Sequence, residues 1–162
     1  MKEDEIYIYT KEWLIYNEYE IIAGQPPNGS DNIPVIEIKD NKYSSKGSKG
    51  SYKPDLIGMN GNNILVIECK PKYDQDDEKK LLSIMFDNSR IELLFKELHQ
   101  RNIFSNSKYC KQFSNLNYFK KVIKFCLSNS SSNIKMREIY NLKVTNKPSK
   151  SILTTPENQI LS

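Results

Sequence analysis

Two spacings of hydrophobic positions alternate along the chain. Over 9–19, Trp13, Leu14, Ile15 and Tyr16 predict a helix, with Thr10 as its N-cap and Glu12 in its first turn. "EYEIIAG" then predicts a short strand, which the loop-forming run "QPPNGSDN" stops. "IPVIEIK", ending at Lys39, alternates as a second strand does. The best-defined unit follows: "PDLIGM", the turn "NGNN" and "ILVIECK", an Asn-Gly hairpin between two β runs. After "PKYDQDDEKK" the period changes. Leu81, Leu82, Met85, Ile91, Leu94, Phe95 and Leu98 share one stripe of a helix capped by Asp76 or Asp77. "SNLNYFKKVIKFCL" predicts another amphipathic helix, "IYNLKVT" a last strand, and 147–162 a loosely held, flexible tail. Trp13, Tyr16 and Phe95 are expected in the core, and the single His99 at the surface or in packing.

Composition narrows the class. A chain of 162 residues is long enough for one domain with a buried core, and its mean hydropathy of -0.64 predicts long polar loops. No apolar run approaches the roughly 20 residues that span a bilayer, and the acidic start lacks a signal-peptide pattern, so a cytoplasmic location is expected. Cys69, Cys110 and Cys126 show no C-x-x-C spacing and predict neither a disulfide framework nor a zinc site. One histidine excludes chemistry that needs two. Charge is uneven: residues 1–40 carry three Lys against nine Asp and Glu, whereas 108–150 carry nine Lys and one Arg against Glu138 alone. Such an arrangement suits an acidic cluster beside a surface that binds a polyanion, and it equally suits a solvated face.

Chemistry concentrates in the hairpin. Side chains alternate along a strand, so Glu68 and Lys70 share a face while Cys69 points to the other. Folding back at Gly61-Asn62 brings Asp55 opposite them, and two carboxylates with an ammonium meet at one end of the hairpin. Paired carboxylates offer hard oxygen ligands to Mg²⁺, which keeps open positions for water and substrate phosphate. Lys70 would stabilise developing charge, or help deprotonate water if the site lowers its pKa. A second tripeptide of the same kind, Glu37-Ile38-Lys39, has behind it only Asp31, in a turn six residues before Glu37. It predicts a neighbouring strand that borders the site. The connection "NKYSSKGSKGSYK" brings Lys42, Lys46, Lys49 and Lys53 up to Asp55, where, with Lys39, they would meet nucleic-acid phosphates.

Pro54-Asp55, the thirteen-residue step to Glu68 and Glu68-Cys69-Lys70 resemble the PD-(D/E)xK nuclease superfamily, as does the order helix, strand, hairpin, helix over residues 5–100. The resemblance implies an α/β fold of the α+β kind: a restriction-endonuclease-like core with a central mixed β-sheet flanked by helices. It assigns 1–105 to the nuclease core and leaves 106–146 as a basic helical and strand extension of the same domain. Asp55, Glu68 and Lys70 become the catalytic residues, and Asp55 and Glu68 the ligands of Mg²⁺ or a substituting Mn²⁺, with a Glu from the first helix, for which Glu12 is the best-placed match and Glu18 and Glu5 stand behind it. The activity implied is endonucleolytic hydrolysis of DNA phosphodiesters in a restriction, defence or mobile-element setting, by a homodimer or with a partner subunit. Two alternatives stand beside it: a nuclease resembling junction resolvases or repair enzymes, and a non-catalytic nucleic-acid-binding subunit built on the same fold.

Overall fold

The computed structural model describes residues 1–29, 31–39, 50–104, 107–109, 111–131 and 138–156. Among these, a six-stranded mixed sheet carries helices on both faces. The strands lie in chain order: β1 (Glu20–Gly24), β2 (Leu56–Met59), β3 (Ile64–Cys69), β4 (Ile123–Asn129), β5 (Tyr140–Lys143) and β6 (Ile152–Thr154). β1, β2 and β3 are successively antiparallel, β3, β4 and β5 run parallel, and β6 returns antiparallel to β5. No described helix is long and apolar enough to cross a membrane.

Helix α1 (Glu3–Tyr16) begins well before the predicted position. Its start is stabilised by Glu3, Asp4 and Glu5 in the first turn, where carboxylates favour the helix dipole, and by the Lys2 amide donating to Glu5 at 2.7 Å. Thr10 is therefore no cap. It lies mid-helix, fully buried, its hydroxyl donating to the Ile6 carbonyl and accepting from Ser128 on β4, each at 2.6 Å. Ile6, Tyr7, Trp13 and Leu14 cover one face of the sheet over Leu56, Leu65, Ile67 and Cys69. Ile15 and Tyr16 face solvent, so Tyr16 does not join the core expected for it. A Cβ on Gly58 would stand 2.7 Å from Leu14 Cδ2, so this glycine sets how closely α1 approaches β2.

The opposite face is covered by α2 (Gln75–Met85), α3 (Asn88–Gln100) and α4 (Leu116–Val122), packed on Ile57, Met59, Ile64, Val66, Phe125 and Leu127. The single helix predicted across Leu81–Leu98 is two. Asp87 caps a fresh start by accepting from the Ser89 amide at 3.0 Å, and α2 is capped by Asp74 rather than Asp76 or Asp77. His99 packs between Phe95 and Phe104, tilted to one ring and edge-on to the other, in packing as expected.

Two further predicted elements differ. "SNLNYFKKVIKFCL" is helical only to Val122. From Ile123 its alternation wins, because Phe125 and Leu127 enter one core and Cys126 the other in a strand buried on both faces. Among the described residues the second predicted strand, through Ile38, reduces to one bridge, Ile38 to Tyr52. Its alternation is nonetheless real: Ile36 and Ile38 are buried while Lys39 is exposed. Within the predicted tail, 152–154 pair as β6.

Candidate active site

The hairpin turn is built by Asn60, whose side chain accepts from the amides of Asn62 and Asn63 at 2.8 Å. This fixes the β2–β3 register, with Leu56 opposite Ile67, so that one step further Asp55 stands across from Glu68. Glu68 projects to the face covered by α2, where Lys80 reaches it. Asp55 Oδ2 accepts from the Cys69 amide at 2.7 Å, which ties the carboxylate to the end of β3. Glu68 is 5% exposed. Its Oε1 lies 3.6 Å from Lys70 Nζ and 3.4 Å from Lys80 Nζ on α2, while its buried Oε2 has no hydrogen-bond partner. Lys70 Nζ is also 3.5 Å from Glu3 Oε1, in the first turn of α1. Thr10, hydrogen-bonded to Ser128, holds that helix against the end of β4.

The electrostatics follow from crowding negative charge where water is scarce. Burial and then the facing Glu68 push the Asp55 carboxyl up to about 7. Glu68 is raised by burial, against the pull of Lys80 and Lys70, and half-buried Asp77 on α2 is raised by burial too. Burial alone would lower Lys70, but Glu68, Asp77, Glu3 and Asp55 together raise it. The ammonium therefore stays protonated at neutral pH, and the general-base role weighed for it in the sequence loses its premise. Tyr52, fully buried, turns its hydroxyl toward Glu68, and burial and then Glu68 hold that phenol well above its usual range. Burial raises the Cys69 thiol in the same way and leaves it an inert filler.

Asp55, Glu68 and Lys70 thus come together. Glu12 does not join them: it is exposed on α1 beside Asp4, Ile8 and Ile15. Nine residues separate it from Glu3, and at about 100° per residue that places the two on opposite sides of the helix. The acid that α1 presents to the site is Glu3. Lys39 and Lys53 are exposed and share a groove with Glu37, Leu93, Glu97 and Arg101. Lys42, Lys46 and Lys49 lie outside the described residues.

Among the described residues no group of three or more His, Cys, Asp or Glu side chains is placed to hold a metal ion. A closed protein cage is thereby absent from them. A magnesium-type ion needs less, since it commonly takes one or two carboxylates and completes its shell with water and phosphate oxygens. Asp55 and Glu68 fit that demand: Glu68 has an orphaned buried oxygen, and four carboxyl groups crowd around two ammoniums. The chain matches no protein-family model, no curated protein and no solved structure.

Proposed function

We propose that this protein is a Mg²⁺-dependent endonuclease that hydrolyses DNA phosphodiester bonds, with Asp55, Glu68 and Lys70 as its catalytic group. The observation that carries this reading is the pair of half-buried Asp55 and buried Glu68, facing each other across one hairpin end with an ammonium beside them. Two like charges held together at low exposure raise the free energy of the folded protein, and a role in binding a cation accounts for keeping them. The sequence resemblance to PD-(D/E)xK nucleases points the same way, as do the exposed Lys39 and Lys53 nearby in the chain.

In this reading Asp55 and Glu68 hold the cation, which supplies polarisation of the phosphoryl oxygen and an activated water. The Cys69 amide keeps Asp55 aimed at Glu68. Lys70, fixed between Glu3 and Glu68, offers a permanent positive charge to the oxyanion that develops at phosphorus. Mn²⁺ would satisfy the same oxygen ligands. The test is incubation of supercoiled plasmid with Mg²⁺ or EDTA, beside Asp55→Ala and Lys70→Ala. Metal-dependent nicking or linearisation that disappears in both variants supports the reading; binding of DNA without cutting in Mg²⁺ or Mn²⁺ rejects it.

A further inference from the structure

Two ammoniums meet the same oxygen of Glu68, and they are held very differently. Lys70 contacts two carboxylates, Glu3 and Glu68, and only 26% of its side chain is exposed. Lys80 rises from the second turn of α2, contacts Glu68 alone, and leaves 43% of its side chain in solvent. Its Nζ also sits 4.8 Å from the centroid of the Tyr52 ring, a seat of cation–π character. The surroundings of this seat are packed into the core. Tyr52 is buried and bridged to Ile38, and Leu81 and Ile84 anchor α2 to the core. What can move is the lysine's own four-carbon stem.

A divalent cation held by Asp55 and Glu68 would neutralise the carboxylate that Lys80 now pairs at Oε1, and so would weaken the hold on that ammonium. The lysine, with 43% of its side chain in solvent, would then be free to meet the phosphate of an incoming substrate. We propose that Lys80 is a second phosphate-contacting catalytic residue, resting on Glu68 and the Tyr52 ring in the cation-free protein and turning to the scissile phosphate when Asp55 and Glu68 hold a divalent ion. This rests on the nuclease reading and adds to it a residue that the hairpin motif does not contain. It divides labour between the lysines: Lys70 is the fixed charge, and Lys80 keeps Glu68 paired until cation and substrate arrive.

The experiment uses the full chain as wild type, Lys80→Ala, Lys80→Arg and the control Lys79→Ala, each checked for an unchanged melting temperature. Mn²⁺ binding is measured without nucleic acid by calorimetry, and cleavage of plasmid under single-turnover conditions at saturating Mn²⁺. With a competing ammonium removed, Lys80→Ala should bind Mn²⁺ several-fold more tightly yet cut about 30- to 100-fold more slowly, because one charge-assisted phosphate contact is lost. Lys80→Arg should recover most of the rate, and Lys79→Ala should match wild type in both. Movement of affinity and rate in opposite directions is something a merely structural lysine would not produce. Wild-type affinity and rate in Lys80→Ala overturn the proposal while leaving the nuclease reading standing, as does a parallel loss of both. A wild-type protein that neither binds Mn²⁺ nor cuts removes the two together.

Discussion

Glu68-Cys69-Lys70 and Glu37-Ile38-Lys39 are the same pattern in one molecule, and their carboxylates behave oppositely. Glu68 is buried with one oxygen unpartnered, and burial drives its carboxyl upward. Glu37 accepts from the Ser51 hydroxyl at 2.5 Å, with Lys39 and Lys53 nearby, and its carboxyl is lowered. The first is a carboxylate whose two ammonium neighbours meet only one of its oxygens; the second is a carboxylate satisfied by its neighbours. The difference lies in what surrounds each strand. β3 is interior to the sheet, between β2 and β4, and α2 covers its end, whereas 36–39 makes a single bridge among the described residues and turns its charged positions outward. The two are nevertheless joined. Ile38 pairs with Tyr52 in both directions, at 2.8 and 2.9 Å, and Tyr52 is the ring under Lys80 beside Glu68. Buried Arg90 donates to the Ile38 and Gly50 carbonyls and holds this ribbon against α3. The outer tripeptide thus backs the inner one through its middle residue.

The largest separation between them is expected in catalysis. Glu68→Ala should lower the plasmid cleavage rate on the order of 10³-fold, since metal assistance is worth several kcal/mol of transition-state stabilisation. Glu37→Ala should change it by less than about threefold. Equal losses in the two variants would mean that the chemistry is shared between the tripeptides, and the contrast drawn from burial would be broken.

Much of this contrast is legible in the sequence, because the information is local. Pro54-Asp55, the Asn60–Asn63 turn and the step to Glu68 fix a register within sixteen residues, and strand alternation then places Lys70 with Glu68 and Cys69 away from them. The remaining partners come from distant segments. Lys80 reaches the site only because Asp74 starts α2 where it does, and Tyr52 only through its bridge to Ile38. Glu3 was hidden by a charged N-terminus that reads as poor helix until its carboxylates are counted as favourable to the dipole. The same limit explains β4. "VIKFCL" abuts a helical stretch rich in lysine, and only the parallel pairing of Ile123–Ser128 with Ile64–Cys69 decides for strand.

Cation affinity sharpens the comparison next. Asp55 is raised to about 7, so below that pH a cation must displace its proton, and Mn²⁺ affinity should fall by up to about tenfold per pH unit between roughly 7 and 5. An ordinary carboxylate near 4 would show no such fall in this range. Calorimetry in buffers of different ionisation enthalpy should detect proton release at pH 6 that has vanished by pH 8.5. Glu37→Gln should leave this profile unmoved. A flat affinity between pH 5 and 8 would contradict the burial-driven shift.

Stability of the cation-free protein should separate the tripeptides by sign. The folded-state pKa of Glu68 is raised, so its contribution is fully favourable below the unfolded value and is lost as pH rises through the folded one. Glu68→Gln, neutral throughout, should therefore gain stability relative to wild type as pH rises, read from urea midpoints. Glu37 is lowered in the folded state, so it contributes above the unfolded value and loses that contribution as pH falls. Glu37→Gln should bring no gain at pH 8, and its deficit should shrink toward pH 3. Two variants shifting in the same direction at pH 8 would break the comparison.

The smallest effect concerns the outer tripeptide alone. Ser51→Ala deletes the hydroxyl that donates to Glu37, and the carboxyl should titrate closer to its ordinary range, as followed by carbon-detected NMR of the side chain. Solvent replaces the lost donor at this exposed carboxylate, so the melting temperature should fall by about 2 °C or less. Cleavage should be unchanged, because the Ile38–Tyr52 bridge is made by backbone groups that the substitution leaves in place. If cleavage instead drops along with the Glu37 shift, the outer carboxylate feels the reaction directly. The wall that Ile38 and Tyr52 form around Glu68 would then be electrostatic as well as steric.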